Sequence, residues 1–247
     1  MEAQSVPAAS RTLDIFEIFA AEQRPLSLSE LARLADIPVS TCHSLMRTLE
    51  QRGFLHFMSA REAYPTRKML EVCAAIDAHD SIAAWLAPAL TALRDETGET
   101  IILGSRQSDT VLYLLVVESQ QTVRYTARVG EFKPLHSSAI GKTLLAEMPD
   151  DALNTWLSGR ELKAVTAHTI TSQRQLRREL AESRERGYFI THGENVADVM
   201  ALAAPLLLGS MTLGVAIAGP LQRMQEMEKR HAPKLLRVVK ALEKLRR

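Results

Sequence analysis

The chain has 247 residues, 46% of them hydrophobic and 24% charged, with a net charge of +1, an ordinary composition for a globular protein of one large or two modest domains. No apolar run approaches the ~20 residues of a membrane span, and no basic region followed by an apolar core opens the chain, so neither a membrane protein nor a secreted one is expected. The expected location is the cytoplasm. The only cysteines, Cys42 and Cys73, form no C-x-x-C pair and no disulfide framework; both fall at apolar helix positions and read as reduced core residues.

Residues 1–9 carry no periodic pattern. Ser10 to Ala21 predicts a helix with Leu13, Phe16, Phe19 and Ala20 on one face, ended by Arg24-Pro25. Ser27 and Glu30 have the S-x-x-E spacing of a capping box, and Leu28, Leu31, Leu34 and Ala35 follow at helical spacing. Asp36-Ile37-Pro38 ends that helix, because Asp tolerates a left-handed turn and Pro38 disfavours helix at Ile37. Ser40 is the expected cap of the next helix. There Cys42, Leu45, Met46 and Leu49 form one narrow apolar stripe, while Thr41, His43, Ser44, Arg47 and Thr48 lie off it. Gly53 supplies the stop.

Two short helices joined this tightly suit a helix-turn-helix, and short hydroxyls with a His and an Arg can approach base edges and phosphates. A plain helical hairpin with a solvated polar face would share the periodicity. The residues after Gly53 favour the helix-turn-helix. Phe54 to Met58 is a strand candidate, Ser59-Ala60-Arg61 a turn and Glu62 to Thr66 a return strand, which together make a wing. The charge balance is less favourable. Residues 1–80 hold eight Lys/Arg against eleven Asp/Glu, a net of −3, which counts against strong non-specific DNA affinity. Arg52, Arg61, Arg67 and Lys68 nevertheless gather around the wing.

Arg67 to Ala78 is a helical pattern with Met69, Leu70, Cys73 and Ile76 apolar. Asp80-Ser81 looks like a fresh helix start, and Ile82 to Thr97 continues with Trp85, Leu86, Leu90 and Leu93 apolar and a local kink at Pro88. The domain boundary is expected between Ala78 and Ser81. Thr100 to Gly104 and Val111 to Glu118 predict a hairpin turning at Gln107-Ser108-Asp109, and Thr122 to Val129 a third strand. Gly130 to Pro134 reads as a loop. Helices are expected over Ser137 to Met148, from Pro149-Asp150 to Leu157, and over Thr171 to Arg186, where Gly187 stops the helix. Strands follow from Tyr188 to Thr191, Val199 to Leu208 and Leu213 to Ala218. Gly219-Pro220 opens a basic terminal helix, read as a solvated amphipathic helix rather than a second DNA contact. Strands on both sides of a helical insert imply an α+β sheet domain.

Three motifs invite chemistry and are set aside. Gly141-Lys142-Thr143 mimics the end of a P-loop, but His136 occupies the place of the earlier glycine that such a loop needs. His136, Ser137 and Ser138 lie close in sequence without a G-x-S-x-G elbow, and a helix N-terminus explains the serines. His192 beside Gly193 and Glu194 has no second His or Cys at ligand spacing. No cofactor and no metal is expected.

The chain resembles the IclR family of bacterial transcriptional regulators along nearly its whole length. The N-terminal likeness runs through Ser10 to Ile15, Leu28 to Ala32 and Ser40 to Phe54. The C-terminal likeness includes Glu96 to Thr100, Pro134 to Lys142, Arg186-Gly187-Tyr188, Glu194, Ala203-Ala204-Pro205 and Gly219-Pro220. The resemblance implies a winged helix-turn-helix over 1–66, a helical linker over 67–80 and a GAF-like effector-binding domain over 81–247. The partners it implies are a palindromic double-stranded DNA operator, a small organic effector, and a second copy in a homodimer or tetramer. A binding module or enzyme without operator affinity is the alternative. The expected DNA-binding residues are Arg11, Ser29, Ser40, Thr41, His43, Ser44, Arg47, Thr48 and Arg61.

Four positions depart from the usual pattern. Many relatives carry a basic residue at Val39, Arg at Ser44, and Gly at Asp36 and Asp198. In relatives that bind small oxo acids, hydroxyl and thiol side chains from the last strands line the pocket, and those positions fall on Ala201, Ala216 and Ala218. Ala216 and Ala218 share one face of a strand. A small buried carboxylate would find few donors there, so a larger, flatter, aromatic effector is expected. Ala139 and Ile140 would offer helix N-terminal amides, and His136, Thr191 and Asn195 polar contacts. The alternative is that the three alanines are plain sheet core.

Overall fold

The computed structural model describes residues 6–58, 61–77 and 81–245, and its contacts divide the chain into two units at Asp80/Ser81. The first unit comprises α1 (Pro7–Glu22), β1 (Leu26–Ser27), α2 (Leu28–Leu34), α3 (Val39–Gln51), β2 (Leu55–Phe57), β3 (Glu62–Pro65) and α4 (Lys68–Asp77). Helix α1 begins at Pro7, three residues before the expected start, since a proline suits the first turn, where no amide is needed. Ser27 and Glu30 close the capping box reciprocally. Asp36 takes the left-handed turn conformation, with φ of 51°. Helix α3 starts at Val39 with Pro38 as its flanking residue and no side-chain cap. Ser40 is therefore inside the helix and does not cap it; the fixed φ of Pro38 sets the first turn instead.

Cys42, Met46 and Leu49 of α3 are buried with Ile15, Phe19, Leu26, Leu31, Leu55 and Ala63. Strand β1 pairs with β3, so the β2–β3 wing belongs to a three-stranded sheet ordered β1-β3-β2. Two residues are too few for periodicity to reveal β1. The expected wing turn includes Ser59 and Ala60, which lie outside the described residues. On α4, Leu70 and Ile76 are 63% and 67% exposed, and Cys73 is exposed as well. Cys73 is thus not a core residue: it rides on an apolar helix face that none of the described residues of the first unit buries.

The second unit holds α5 (Ser81–Thr97), β4 (Thr100–Gln107), β5 (Thr110–Val117), β6 (Phe132–Pro134), α6 (Ala139–Ala146), α7 (Asp150–Leu157), α8 (Gln173–Arg186), β7 (Phe189–His192), β8 (Val199–Leu208), β9 (Met211–Pro220) and α9 (Leu221–Leu245). Its antiparallel sheet is ordered β6-β5-β4-β9-β8-β7. On one face Ile101, Leu103, Val215 and Ile217 pack with Leu86, Leu90 and Leu93 of α5 and Met224, Leu235 and Val239 of α9. On the other face Ile102, Ala203, Ala216 and Ala218 pack beneath α6, α7 and α8. The period of two in each strand sorts these side chains.

Three expectations are corrected here. Thr122 to Val129 is not a strand, and the expected loop contains strand β6, which pairs with β5 from Thr110 to Leu112. Tyr125 and Ala127 turn into the core and mimic strand alternation. Their segment is tied by side chains instead of a ladder: Thr100 Oγ1 donates to Tyr125 O at 2.6 Å and Arg223 to Val123 O at 3.0 Å. Gly219 and Pro220 finish β9 rather than open α9.

Helix α6 sits unusually close to its neighbours. A Cβ at Gly141 would collide with the backbone of Leu135, and one at Gly214 would lie 2.7 Å from Ile140 Cγ2. At the far side of the sheet β7 pairs only with Met200 to Ala203, leaving the rest of β8 without an outer neighbour among the described residues. There Leu207 N donates to Glu243 Oε1 of α9 at 2.9 Å, and Pro205, two residues earlier, has no amide hydrogen.

Candidate functional site

In the first unit, Ser29, His43, Arg47 and Arg61 line one groove between α2, α3 and the wing, together with Ser27, Leu28, Met46, Glu50 and Phe57. Four of the nine expected DNA-facing residues therefore converge. Ser40, Ser44 and Thr48 form a second row on α3. Ser44 Oγ donates to Ser40 O at 3.1 Å and Thr48 Oγ1 to Ser44 O at 2.9 Å, which leaves their lone pairs outward. Thr41 is half-buried at the start of α3, and Arg11 stands apart on α1. Glu50 and Phe57 escape notice in the sequence. Arg47 donates to Glu50 Oε2 at 2.8 Å, so the one Lys or Arg side chain of α3 stands beside a carboxylate. Lys68, counted among the wing cations, instead supports the fold, since its Nζ donates to Arg52 O at 2.6 Å and lies 5.2 Å from the centre of the Phe54 ring.

In the second unit a cavity of about 30 Å³ lies between α6 and the sheet. Seven of the eight expected effector residues line it: Ala139, Ile140, Thr191, Asn195, Ala201, Ala216 and Ala218. Sheet register explains this. Thr191 stands beside Ala201, Ala201 beside Ala218, and Ala216 beside Ile102, all on the α6 face. His136 does not line the cavity. It is buried, with its Nε2–H donating to Lys163 O at 2.9 Å, and burial pushes its pKa down.

The sequence pattern does not single out Tyr113 and Tyr125, whose rings complete the wall with Ser138, Val196 and Val199. Burial raises the pKa of each phenol. The position of Tyr113 within strand β5 is the one signal that could have found it; Tyr125 sits in a segment whose alternation imitates a strand. Ser138 caps α6 by accepting from Gly141 N at 3.2 Å. The Ala139 and Ile140 amides precede the first intrahelical bond, and both residues line the cavity.

Lys142, from the Gly-Lys-Thr run, is fully buried. Its Nζ donates to Glu194 Oε1 at 2.6 Å and to Ile190 O at 3.2 Å. Glu194 Oε2 has no partner among the described residues. Burial pushes the Glu194 carboxyl above its usual range, and the Lys142 ammonium pulls it back. Asn195 Nδ2, next in the chain, donates to Ser137 Oγ at 3.1 Å. Among the described residues no group of three or more His, Cys, Asp or Glu side chains converges as a metal site, and no helix is long and apolar enough to cross a membrane.

Comparison with known proteins covers both units. Residues 73–244 match the family described as the bacterial transcriptional regulator IclR C-terminal domain, and residues 8–57 match the IclR helix-turn-helix domain. The HTH-type transcriptional regulator BhcR of Paracoccus denitrificans is 32% identical over 226 residues, covering 90% of this chain and 80% of its own. The crystal structure of Thermotoga maritima IclR is 27% identical, with a TM-score of 0.75 over 95% of this chain and 98% of that one. An IclR homolog from Microbacterium hydrocarbonoxydans, solved in complex with 4-hydroxybenzoate, shares the fold at 23% identity, with a TM-score of 0.77 over 96% of this chain and 98% of that one.

Proposed function

The chain belongs to the IclR family of bacterial transcriptional regulators, with a helix-turn-helix and an effector-binding domain, and from that membership we propose that it controls catabolic genes by binding a palindromic operator as a homodimer or tetramer. Residues 1–66 would contact DNA, 67–80 link, and 81–247 hold a small aromatic effector. A two-fold assembly presents two copies of α3 at a fixed spacing, which is why its operator would be palindromic. An effector that binds one conformation better would shift the assembly toward it and change the half-site spacing that fits.

The observation that carries the DNA reading is the groove where Ser29, His43, Arg47 and Arg61 meet beside the wing. Genomic DNA captured by the protein, followed by a gel shift on the enriched sequence, tests it. Retention of no specific fragment would leave a ligand-binding module, the reading that the net charge of −3 over residues 1–80 favours.

The aromatic effector is supported by the row of Ala201, Ala216 and Ala218, which offers no donor, and by the rings of Tyr113 and Tyr125 across from it. The 4-hydroxybenzoate held by the Microbacterium relative is of the expected class. A thermal-shift panel of aromatic acids and short oxo acids tests this half. Stabilisation by glyoxylate or pyruvate alone would overturn it.

A further inference from the structure

The cavity is too small for what it is proposed to hold. About 30 Å³ is room for roughly two waters, whereas ligand pockets run to roughly 300 Å³ or more. Some wall must move. Strands β4, β8 and β9 are held on both sides by the sheet over the cavity, and α6 is wedged against it by Gly141 and Gly214. The segment from Gly193 to Asp198 is different. Val196 lines the cavity and is still 38% exposed, and Ala197 and Asp198 are exposed, so a single residue separates cavity from solvent.

Side chains from elsewhere hold that segment down. Thr166 Oγ1 donates to Gly193 O at 2.6 Å, Thr169 Oγ1 to Glu194 O at 2.7 Å, and Asn195 reaches Ser137. The buried contact is Lys142 Nζ to Glu194 Oε1 at 2.6 Å. Lys142 lies one turn beyond Ala139, which lines the cavity, so the fastening runs to the very helix that forms the opposite wall. The fastening is also incomplete. Glu194 Oε2 is buried without a hydrogen bond of good geometry among the described residues, the Ile170 amide standing near enough only to favour its charge, and a half-satisfied buried pair holds less firmly than a complete one. The Gly193–Asp198 wall is also bonded at its two ends, Gly193 N donating to Val199 O at 2.9 Å and Leu221 N to Asp198 O at 2.8 Å, while the other irregular wall, around Tyr125, is tied to β4 and α9.

We propose that the Lys142–Glu194 pair is a latch that holds the Gly193–Asp198 wall against α6 and thereby gates admission of the effector to the cavity. Lys142 and Glu194 act as positioning residues and do not touch the ligand. The gating role rests on the effector reading above; the holding role does not.

Amide hydrogen exchange on the full chain tests the latch without any ligand. Glu194→Gln weakens the pair, and Lys142→Met with Glu194→Gln removes both charges, so the double variant folds with no orphaned ion. In both, exchange of the hydrogen-bonded amides of Gly193 and Val199, which bracket the segment, is expected to rise roughly tenfold or more through local opening, while β4 and β9 stay protected. Wild-type protection of the segment in the double variant would overturn the proposal. Association rates are then measured with 4-hydroxybenzoate and with glyoxylate as probes. The double variant should bind whichever acid the wild type binds with a faster association rate, and an unchanged rate would also overturn the latch. If the wild type binds neither acid, the exchange result alone decides whether the pair holds the wall, and wild-type protection in the double variant overturns the latch.

Discussion

The two units place their polar groups in opposite ways. In the first, His43, Arg47, Ser44 and Thr48 stand on the outside of α3, while Cys42, Met46 and Leu49 hold the helix from within. The proposed recognition face and the folding face are different sides of one helix. In the second, Thr191, Asn195, Ser138 and the two tyrosines line an interior wall, and Lys142 and Glu194 are buried just behind it. The same residues that shape the cavity also hold the domain together. A surface site can change its chemistry at little cost to the fold. An interior site cannot.

The largest expected effect tests the interior half of this contrast. Lys142→Ala leaves Glu194 buried and unpaired, which should destabilise the second unit by ~3–5 kcal/mol. Calorimetry would register a large drop in Tm, with most of it regained in the Lys142→Met/Glu194→Gln double variant. A drop under about 1 kcal/mol would mean that water reaches the pair.

A second interior group gives a pH dependence. His231 of α9 is 1% exposed, neither ring nitrogen has a partner among the described residues, and burial pushes its pKa down to about 4. The unfolded chain takes up its proton near pH 6.5 while the folded chain resists. Stability should therefore fall as pH drops from about 6.5 toward 4, by on the order of 2–3 kcal/mol at the bottom of that window. Urea unfolding at several pH values reads the slope, and His231→Phe should flatten it. An identical slope in the variant would assign the loss to other groups.

The surface half predicts a different outcome. Arg47 is 56% exposed and stands beside Glu50. Arg47→Ala should weaken operator binding by ~1–3 kcal/mol if it reads a base, with Tm nearly unchanged. Fluorescence anisotropy and circular dichroism separate the two effects; a loss of fold would break the contrast between the units. Ser27→Ala should cost ~1 kcal/mol by removing the cap of α2. The Ser27 hydroxyl and amide hold the Glu30 carboxyl down to about 2, so the box should persist until strongly acid pH. Thermal melts of the variant check the size of that loss.

The contrast also explains how much the sequence discloses. The helix-turn-helix is legible because its signals are local: Ser27 with Glu30, Asp36 before Pro38, Gly53 after the apolar stripe. Ser40 misleads because Pro38 already starts the helix. Cys73 misleads because an apolar stripe says that a face is greasy, not that the same unit covers it. In the second unit the strands are legible from alternation, and parity places Ala216 and Ala218 together. The wall itself is less so. Glu194 reaches Lys142 across 52 residues of chain, and no local pattern pairs such groups. Tyr125 looks like strand because it alternates, although its backbone is bound by Thr100 rather than by a neighbouring strand.

The bare end of β8 has a consequence of its own. A strand with free outward amides is a template on which another chain can continue the sheet. Here Pro205 has no hydrogen to offer, and the Leu207 amide is already taken by Glu243 of α9. The sheet is insulated at that border. Copies of this chain that meet at that border must do so through side chains, where geometry can be matched and limited, and not through open-ended backbone pairing, which has no natural stopping point.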